Sequence, residues 1–310
     1  MWPEEGRTAA YDLVVVGHIA LDFITRQGEI VRSSLGGPPT YASLAASKLG
    51  ASTAIISKVG EDFPEDYVEL LTNNGVDLAG LKVALGEQTT SFLIEYLNGE
   101  RNMVLKARAP PIEPDDVPLD LSSKAILVAP IAEEVSREVM ARLRRRTEFL
   151  CLDPQGFVRR FAEDGRVSLK PWFDRFLLSL TDVLKASWRE YEHIVGSGDL
   201  RYSLRKLHNL GVGVVIITLG EEGSVLSLRG ELYVIPSYQV EQVAEPTGAG
   251  DAYMGAFLAE YVRGKDPVWC ACVGTAAASF VVEGFGPSRF GSREEVLERA
   301  EIVQDMVVKL

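Results

Sequence analysis

The sequence predicts an α/β protein: a doubly wound, mostly parallel sheet with helices on both faces and a small β-sheet lid set apart from it. Three observations point there. Short unbroken apolar runs ending in glycine, such as Leu13-Val14-Val15-Val16-Gly17, alternate with helical stretches. That is the rhythm of strands buried on both faces. Two strand-like runs flank Asn98-Gly99, the strongest short hairpin signal, inside this βα rhythm. A loop of small residues, Glu245-Pro246-Thr247-Gly248-Ala249-Gly250-Asp251, enters an apolar helical run at once.

The elements follow in order. Leu13 to Val16 is a buried strand, and Asp22 lies just past its carboxyl end. Asp22 is either an ordinary polar-face residue or a ligand carboxylate, because ligands of open α/β sheets collect at that edge. Gly36-Gly37-Pro38-Pro39-Thr40 breaks the pattern, and Tyr41 to Leu49 resumes it as an Ala-rich helix closed by Gly50. Ser52 to Val59 is a strand and Gly75 ends the next helix. Thr89 to Leu97 and Glu100 to Lys106 form the hairpin, with Ile19 to Val31 adding strands to the same small sheet. The expected lid is thus built from about 18–35 and 88–108, inserted in a single domain spanning 11–310. Ala125 to Ala129 is a strand, Ile131 to Arg146 a helix and Phe149 to Leu152 a strand. Val183 to Lys185 is a strand leading into a helix from Ser187. Gly213 to Leu219 is a strongly apolar strand, and Ser224 to Ile235 an antiparallel pair. Helices are expected over Ala252 to Arg263, Val268 to Glu283 and Glu294 to Val308.

Composition narrows the function classes. With 310 residues, 46% hydrophobic and 25% charged, the chain has a core large enough for a deep cleft. The net charge of −12, from 32 basic and 44 acidic residues, argues against a nucleic-acid surface. An anionic ligand would need a local site. Met1 to Gly6 has no basic start and no apolar core, so no secretory signal is read, and no apolar run approaches the ~18 residues of a membrane span. Cys151, Cys270 and Cys272 make no metal spacing and read as buried free thiols in a reducing, cytoplasmic setting. There is no P-loop, and Gly211-Val212-Gly213 precedes a strand instead of following one, so it reads as a turn. His18, His193 and His208 lie near no nucleophile motif and read as structural or surface groups.

The loop at 245–251 carries the chemistry. Small residues let a ligand approach the backbone, and the helix start offers unpaired N–H groups that attract anions. Asp251 repels phosphate and so needs another reason to be there. A base for the hydroxyl that attacks the phosphate is one; simple capping of the helix is the plainer alternative.

Gly36 to Asp62 and Glu245 to Leu258 together resemble the two signatures of the ribokinase-like (PfkB) family of sugar and nucleoside kinases. The resemblance covers roughly Leu13 to Val308. It implies that Asp251 is the catalytic base and that Gly248, Ala249 and Gly250 form an anion hole. It implies an acceptor pocket with Asp22, Gly36, Gly37, Tyr41 and Lys58. Lys185, Ser187, Thr218, Gly220, Gly223 and Thr247 would lie along ATP, with the region from Ala277 to Gly284 near the adenine and Glu190 organising Mg²⁺. The chain departs from the family in three places. Glu245-Pro246 replaces a usual Asp-Thr that commonly helps hold a monovalent cation, so that cation is left open. Ser187 stands where Asn is frequent. Tyr41 stands where ribokinase-type members have Asn, and a tyrosine cannot offer the same donor–acceptor fork to vicinal hydroxyls. Asp153-Pro154-Gln155-Gly156-Phe157-Val158-Arg159 with Lys185-Ala186-Ser187 looks more like the myo-inositol kinase branch. Gln155 and Arg159 are then acceptor-side candidates, Arg159 being equally readable as a solvated charge. The expected activity is ATP-dependent phosphorylation of a small polyol. A nucleoside kinase using Phe92, Tyr96 and Met103, and a catalytically silent binding protein, are the rivals. An exposed lid edge would allow a homodimer.

Overall fold

The computed structural model describes residues 11–26, 29–97 and 100–310. The Met1 to Gly6 reading and the Asn98-Gly99 turn lie outside them, as does the side chain of Tyr96. The chain opens with β1 (Tyr11–Val16), β2 (Ala20–Arg26), β3 (Glu29–Gly36), α1 (Pro38–Lys48), β4 (Thr53–Gly60), α2 (Glu65–Asn73) and β5 (Val76–Ala84). Next come β6 (Ser91–Leu97), β7 (Glu100–Ala107), β8 (Ser123–Val128), α3 (Arg137–Arg144), β9 (Thr147–Leu152) and α4 (Gln155–Val158). The middle holds β10 (Arg159–Phe161), β11 (Val167–Leu169), α5 (Arg175–Ser179), β12 (Val183–Ser187), α6 (Trp188–Val195) and α7 (Leu200–His208). The last part has β13 (Val214–Thr218), β14 (Ser224–Leu228), β15 (Glu231–Ile235), α8 (Ala249–Tyr261), α9 (Pro267–Val282), α10 (Arg293–Gln304) and β16 (Val308–Lys309).

The large sheet has the order β16-β15-β14-β13-β12-β9-β8-β1-β4-β5. From β13 to β5 every pairing is parallel, and β14, β15 and β16 add an antiparallel flank. Period-two alternation assigns the two faces. Leu13, Val15, Leu127 and Ile216 pack with α1, α8, α9 and α10. Val14, Val16, Ile126 and Ile217 pack with α3, α5, α6 and α7. The central strands are therefore apolar on both faces over most of their length, with the polar Lys185, Ser187, Ser57 and Lys58 toward their carboxyl ends.

A second sheet of four strands has the order β3-β2-β6-β7 and carries the predicted hairpin. Its inner face, with Ala20, Phe92 and Ile94, packs on Ile131 and Ala132 of the loop after β8. The ribbon β10–β11 joins it where Leu105 N donates to Gly165 O over 2.8 Å.

Several elements differ from the sequence reading. The helix expected from Ile131 starts only at Arg137, because Glu134 accepts from His18 N, Ile131 N and Ala132 N and holds 131–134 as a loop. Ser136 then caps the helix. The terminal helix stops at Gln304, and Val308–Lys309 pairs with β15. Strand β5, the ribbon β10–β11 and helices α5 and α7 were not expected; β5 is half-exposed and broken by Gly80, which hides its period. Among the described residues no helix is long and apolar enough to cross a membrane.

Candidate active site

Two glycine-capped helix starts meet at the carboxyl ends of the central strands. Gly37 precedes α1 with φ 85°, and Gly248 precedes α8 with φ 82°. Both sit in the left-handed region that favours glycine. A Cβ on Gly248 would also lie 2.3 Å from the Tyr41 ring. Further along, a Cβ on Gly255 would lie 2.0 Å from Ala42 O, so α8 crosses α1 at backbone contact. The small residues of this stretch thus serve close packing as well as the loop.

The first turn of α8 separates two cavities. Thr247, Gly248 and Asp251 face an inner cavity of ≈ 40 Å³ between the two sheets. Its wall also holds Ala20, Asp22, Gly37, Pro38, Tyr41, Phe92, Met103, Ile131, Gln155 and Arg159. Pro246, Ala249 and Gly250 face an outer cleft of ≈ 610 Å³, with Ser187, Thr218, Gly220 and Gly223 on one side. Tyr238, Val240, Val243, Tyr253, Thr275, Ala278, Ser279 and Val282 line the rest. Gly250 N and Asp251 N have no backbone acceptor among the described residues, as expected of a helix start.

A polar chain fixes the carboxyl of Asp251. Gln155 Nε2 donates to Asp251 Oδ1 over 3.2 Å, and Arg159 Nη2 donates to Gln155 Oε1 over 2.7 Å. Arg159 Nη1 donates to Ile131 O over 3.0 Å. The guanidinium has donors alone, so it claims the amide oxygen and turns the NH₂ toward Asp251. Gln155 and Arg159 are four apart, at the first residue and the C-cap of the single turn of α4. That turn approaches closely because residue 156 is glycine: a Cβ would lie 2.5 Å from Pro130 O.

Burial pushes the Asp251 carboxyl up to about 7; Lys185 opposes this, Asp153 adds to it, and Arg159 and Gln155 also pull back. Behind it, Lys185 Nζ and Asp153 Oδ2 form a buried pair at 2.7 Å. Burial pushes Asp153 upward against the pull of Lys185. Burial alone would lower the Lys185 ammonium, but Asp153, Glu190 and Asp251 outweigh it and hold the group above its ordinary value. A Cβ on Gly250 would lie 2.9 Å from Lys185 Nζ, so the ammonium sits just behind the loop. A carboxyl titrating near neutrality beside a helix start can accept a proton from a hydroxyl while the backbone holds an anion.

The other singled-out residues are placed as follows. Gly36 does not line the inner cavity but lies behind Asp22, whose Oδ2 would be 2.2 Å from a Cβ at 36. Lys58 is not brought to the cavity: its ammonium is 2.6 Å from Asp116 Oδ2 and donates to Pro111 O. Thr247, expected along the nucleotide, faces the inner cavity instead. Ala277 is buried beside the cleft, whose wall is made by its neighbours Thr275 and Ala278. Gly284 packs against Ser288 and Arg289 and does not line the cleft. Glu190 stands one step back, its Oε2 accepting from Ser187 N and Ser187 Oγ. Glu245 accepts from Gly286 N over 3.2 Å. Among the described residues no group of three or more His, Cys, Asp or Glu is arranged to hold a metal. A magnesium ion held largely by phosphate oxygens and water needs one or two carboxylates, and Glu190 Oε1 is available for that. His18 is buried: Nε2 donates to Pro110 O, and Nδ1 accepts from the Thr90 hydroxyl.

Sequence reasoning missed Asp153 as a site residue, although its place at the carboxyl end of a strand was a signal. Ile131 and the 238–243 side of the outer cleft gave none, since they join the site through loops; the α9 side, with Ala278, Ser279 and Val282, fell within the region expected near the adenine.

The fold and the two cavities divided by a glycine-capped helix start define a kinase of the ribokinase type. The chain matches the pfkB family of carbohydrate kinases over residues 10–293, and it belongs to that family. It is 28% identical to the cytidine kinase of Thermococcus kodakarensis over 290 residues, 89% of this chain and 97% of that one. It is 28% identical to the inositol 3-kinase of Oryza sativa subsp. japonica over 309 residues, 93% of this chain and 73% of that one. Its fold superposes with a TM-score of 0.78 and 25% identity on a pyrophosphate-dependent kinase of the ribokinase family complexed with a pyrophosphate analogue and myo-inositol. That match covers 92% of this chain and 98% of the other. The protein is therefore a phosphotransferase with an alcohol group of a sugar, polyol or nucleoside as acceptor.

Proposed function

We propose that the protein transfers the γ-phosphoryl group of ATP to a hydroxyl of a small polyol, with myo-inositol the lead acceptor. The observation that carries this reading is the chain Arg159–Gln155–Asp251 on the wall of the inner cavity. Asp22, Thr247, Gln155, Arg159 and Asp251 surround a space with room for about three water-sized groups, at ~10–15 Å³ each. So many polar groups around so small a volume suit a ligand with a hydroxyl on every carbon. A two-ring nucleoside demands a larger outward shift of the four-stranded sheet than a one-ring polyol.

In this mechanism Asp251 accepts the proton of the attacking hydroxyl. Its Oδ2 makes no protein hydrogen bond among the described residues, while Gln155 occupies Oδ1. Backbone N–H groups at Gly250 and Asp251 hold the anionic group in transfer. Gly248 and Ala249 keep side chains out of its way. Glu190 and Ser187 would hold magnesium, which when bound neutralises phosphate charge. The four-stranded sheet acts as a lid that excludes water, a competing acceptor.

The donor reading rests on the outer cleft. Its valines, Tyr253 and Ala278 make an apolar slot suited to a nucleobase, and a pyrophosphate donor has no use for one. A nucleoside acceptor is the second reading, favoured by the 28% identity to a cytidine kinase and by Phe92 and Met103 on the inner wall. The outer strand β3 is an edge with Ile30 and Val31 exposed, which supports pairing with a second copy, testable by light scattering.

The test is ADP release with ATP and Mg²⁺ against myo-inositol, ribose, fructose, 2-keto-3-deoxygluconate, adenosine and cytidine. Turnover led by myo-inositol is expected. Turnover with nucleosides alone would replace the acceptor and keep the donor reading.

A further inference from the structure

We infer that Arg299 is a positioning residue for the donor cleft, fixing the Tyr238 and Ser279 wall against which the nucleobase packs. The inference rests on the nucleotide-donor reading above and gives it a specificity device. Arg299 lies on α10, away from both glycine signatures, and does not itself line the cleft. Its guanidinium stands 3.6 Å from the centre of the Phe280 ring and 4.6 Å from that of Tyr238. Nη1 donates to Ser279 Oγ over 2.7 Å, and Nη2 reaches both Glu283 oxygens at 3.2 and 3.3 Å. One planar fork thus grips two residues of the cleft wall and the end of α9.

The grip matters most for Tyr238. Residues 236–248 form no helix or strand, so no backbone ladder holds this side of the cleft. The cation–π contact of Arg299 with the Tyr238 ring supplies order there, beside the Ser237 hydroxyl, which donates to Glu221 O. Ser279 is set chemically as well. Its hydroxyl proton goes to Ala276 O over 2.7 Å, and it accepts from Arg299. What remains is a lone pair, so Ser279 offers the cleft an acceptor and not a donor. Facing position 6 of a purine, an acceptor there favours the amino group of adenine over the keto oxygen of guanine. Lysine lacks the planar fork and cannot hold Ser279, Glu283 and both rings together.

The test is calorimetric binding of ATP, GTP and inorganic tripolyphosphate to the full chain, with steady-state kinetics alongside. The proteins are wild type, Arg299→Met and Arg299→Lys. Glu283 keeps Arg289 at 3.0 Å in either variant, so no carboxylate is stranded, and melting curves check the fold. Arg299→Met is expected to weaken ATP about tenfold, the scale of a cation–π contact plus a buried hydrogen bond. Tripolyphosphate affinity, kcat at saturating ATP and acceptor KM should hold within about twofold, since the phosphate groups and the base are untouched. The preference for ATP over GTP should narrow, and Arg299→Lys should recover part of the ATP affinity. Parallel loss of ATP and tripolyphosphate binding, or unchanged ATP affinity, would overturn the inference alone. A wild-type protein that binds tripolyphosphate but not ATP would overturn the nucleotide-donor reading and this inference with it.

Discussion

Gln155 Nε2 donates to Asp251 Oδ1 over 3.2 Å, joining two segments 96 residues apart in the sequence. The bond brings the end of β9 to the start of α8, so the candidate base and the inner-cavity wall are one unit. It also restrains Asp251, because a hydrogen bond to the ionised carboxyl favours that form.

Replacing Gln155 by Leu should therefore do two things. The KM for the acceptor should rise several-fold while the KM for ATP stays within about twofold, since one hydrogen bond is worth a net of about 0.5–1.5 kcal/mol. The acid limb of kcat/KM should move to higher pH, because a bond that lowers the Asp251 pKa is gone. Initial rates across a pH series read both.

The pH dependence of the parent protein follows from the same carboxyl. Asp251 titrates at about 7, and the ionised form is the base, so kcat/KM should fall as pH drops through that value. The sign for stability is opposite. Folding raises this pKa, so the folded state disfavours ionisation, and the cost grows from the ordinary carboxylate range up to about pH 7. Asp251→Asn should thus melt higher than wild type at pH 8, with the difference fading toward pH 4; thermal melts at the two pH values check this.

Gly248→Ala should lose both fold stability and activity. The position has φ 82°, and the new methyl would lie 2.3 Å from the Tyr41 ring. Left-handed strain plus a clash with a fully buried ring costs about 1–3 kcal/mol or more. Tyr41→Ala added to it should cost less than the sum of the two single changes, because it removes the clash, while the lost ring keeps the double variant below wild type; melting curves of the four proteins check this.

Lys58→Met separates the structural role from the acceptor role implied by the family resemblance. Its ammonium sits on Asp116, which keeps Lys82 at 2.9 Å when Lys58 is removed. Acceptor KM should stay unchanged while stability drops by about 1–3 kcal/mol, the cost of weakening a largely buried ion pair. Urea titration and acceptor kinetics give the two readings.

The fold was legible where residues were buried on both faces. Val14 to Val16, Ala125 to Val128 and Val214 to Ile217 have no polar face to confuse the period, and each is a central strand. Strand β5 was not legible, since an edge strand with half-exposed positions and Gly80 carries no clean alternation. The loop at 131–134 read as helix because its order comes from one buried carboxylate, Glu134, binding its own loop at Ile131 N and Ala132 N and the distant His18 N. At the site, Asp251, Gly248 and Gly250 stood out because loop, cap and helix lie in one stretch. Asp153 and Arg299 did not, because their partners, Lys185 in one case and Tyr238 with Ser279 in the other, are set by tertiary packing.

The central claim is that Asp251 is the base of a phosphoryl transfer to an alcohol. The most direct measurement is ADP release from ATP and Mg²⁺ with myo-inositol, comparing the parent protein with Asp251→Asn at pH 8. Asparagine keeps the size and still accepts from Gln155, but it takes no proton. Turnover should fall by about 10²–10⁴ with ATP binding retained. Equal turnover in the two proteins would contradict the account and remove Asp251 from the chemistry.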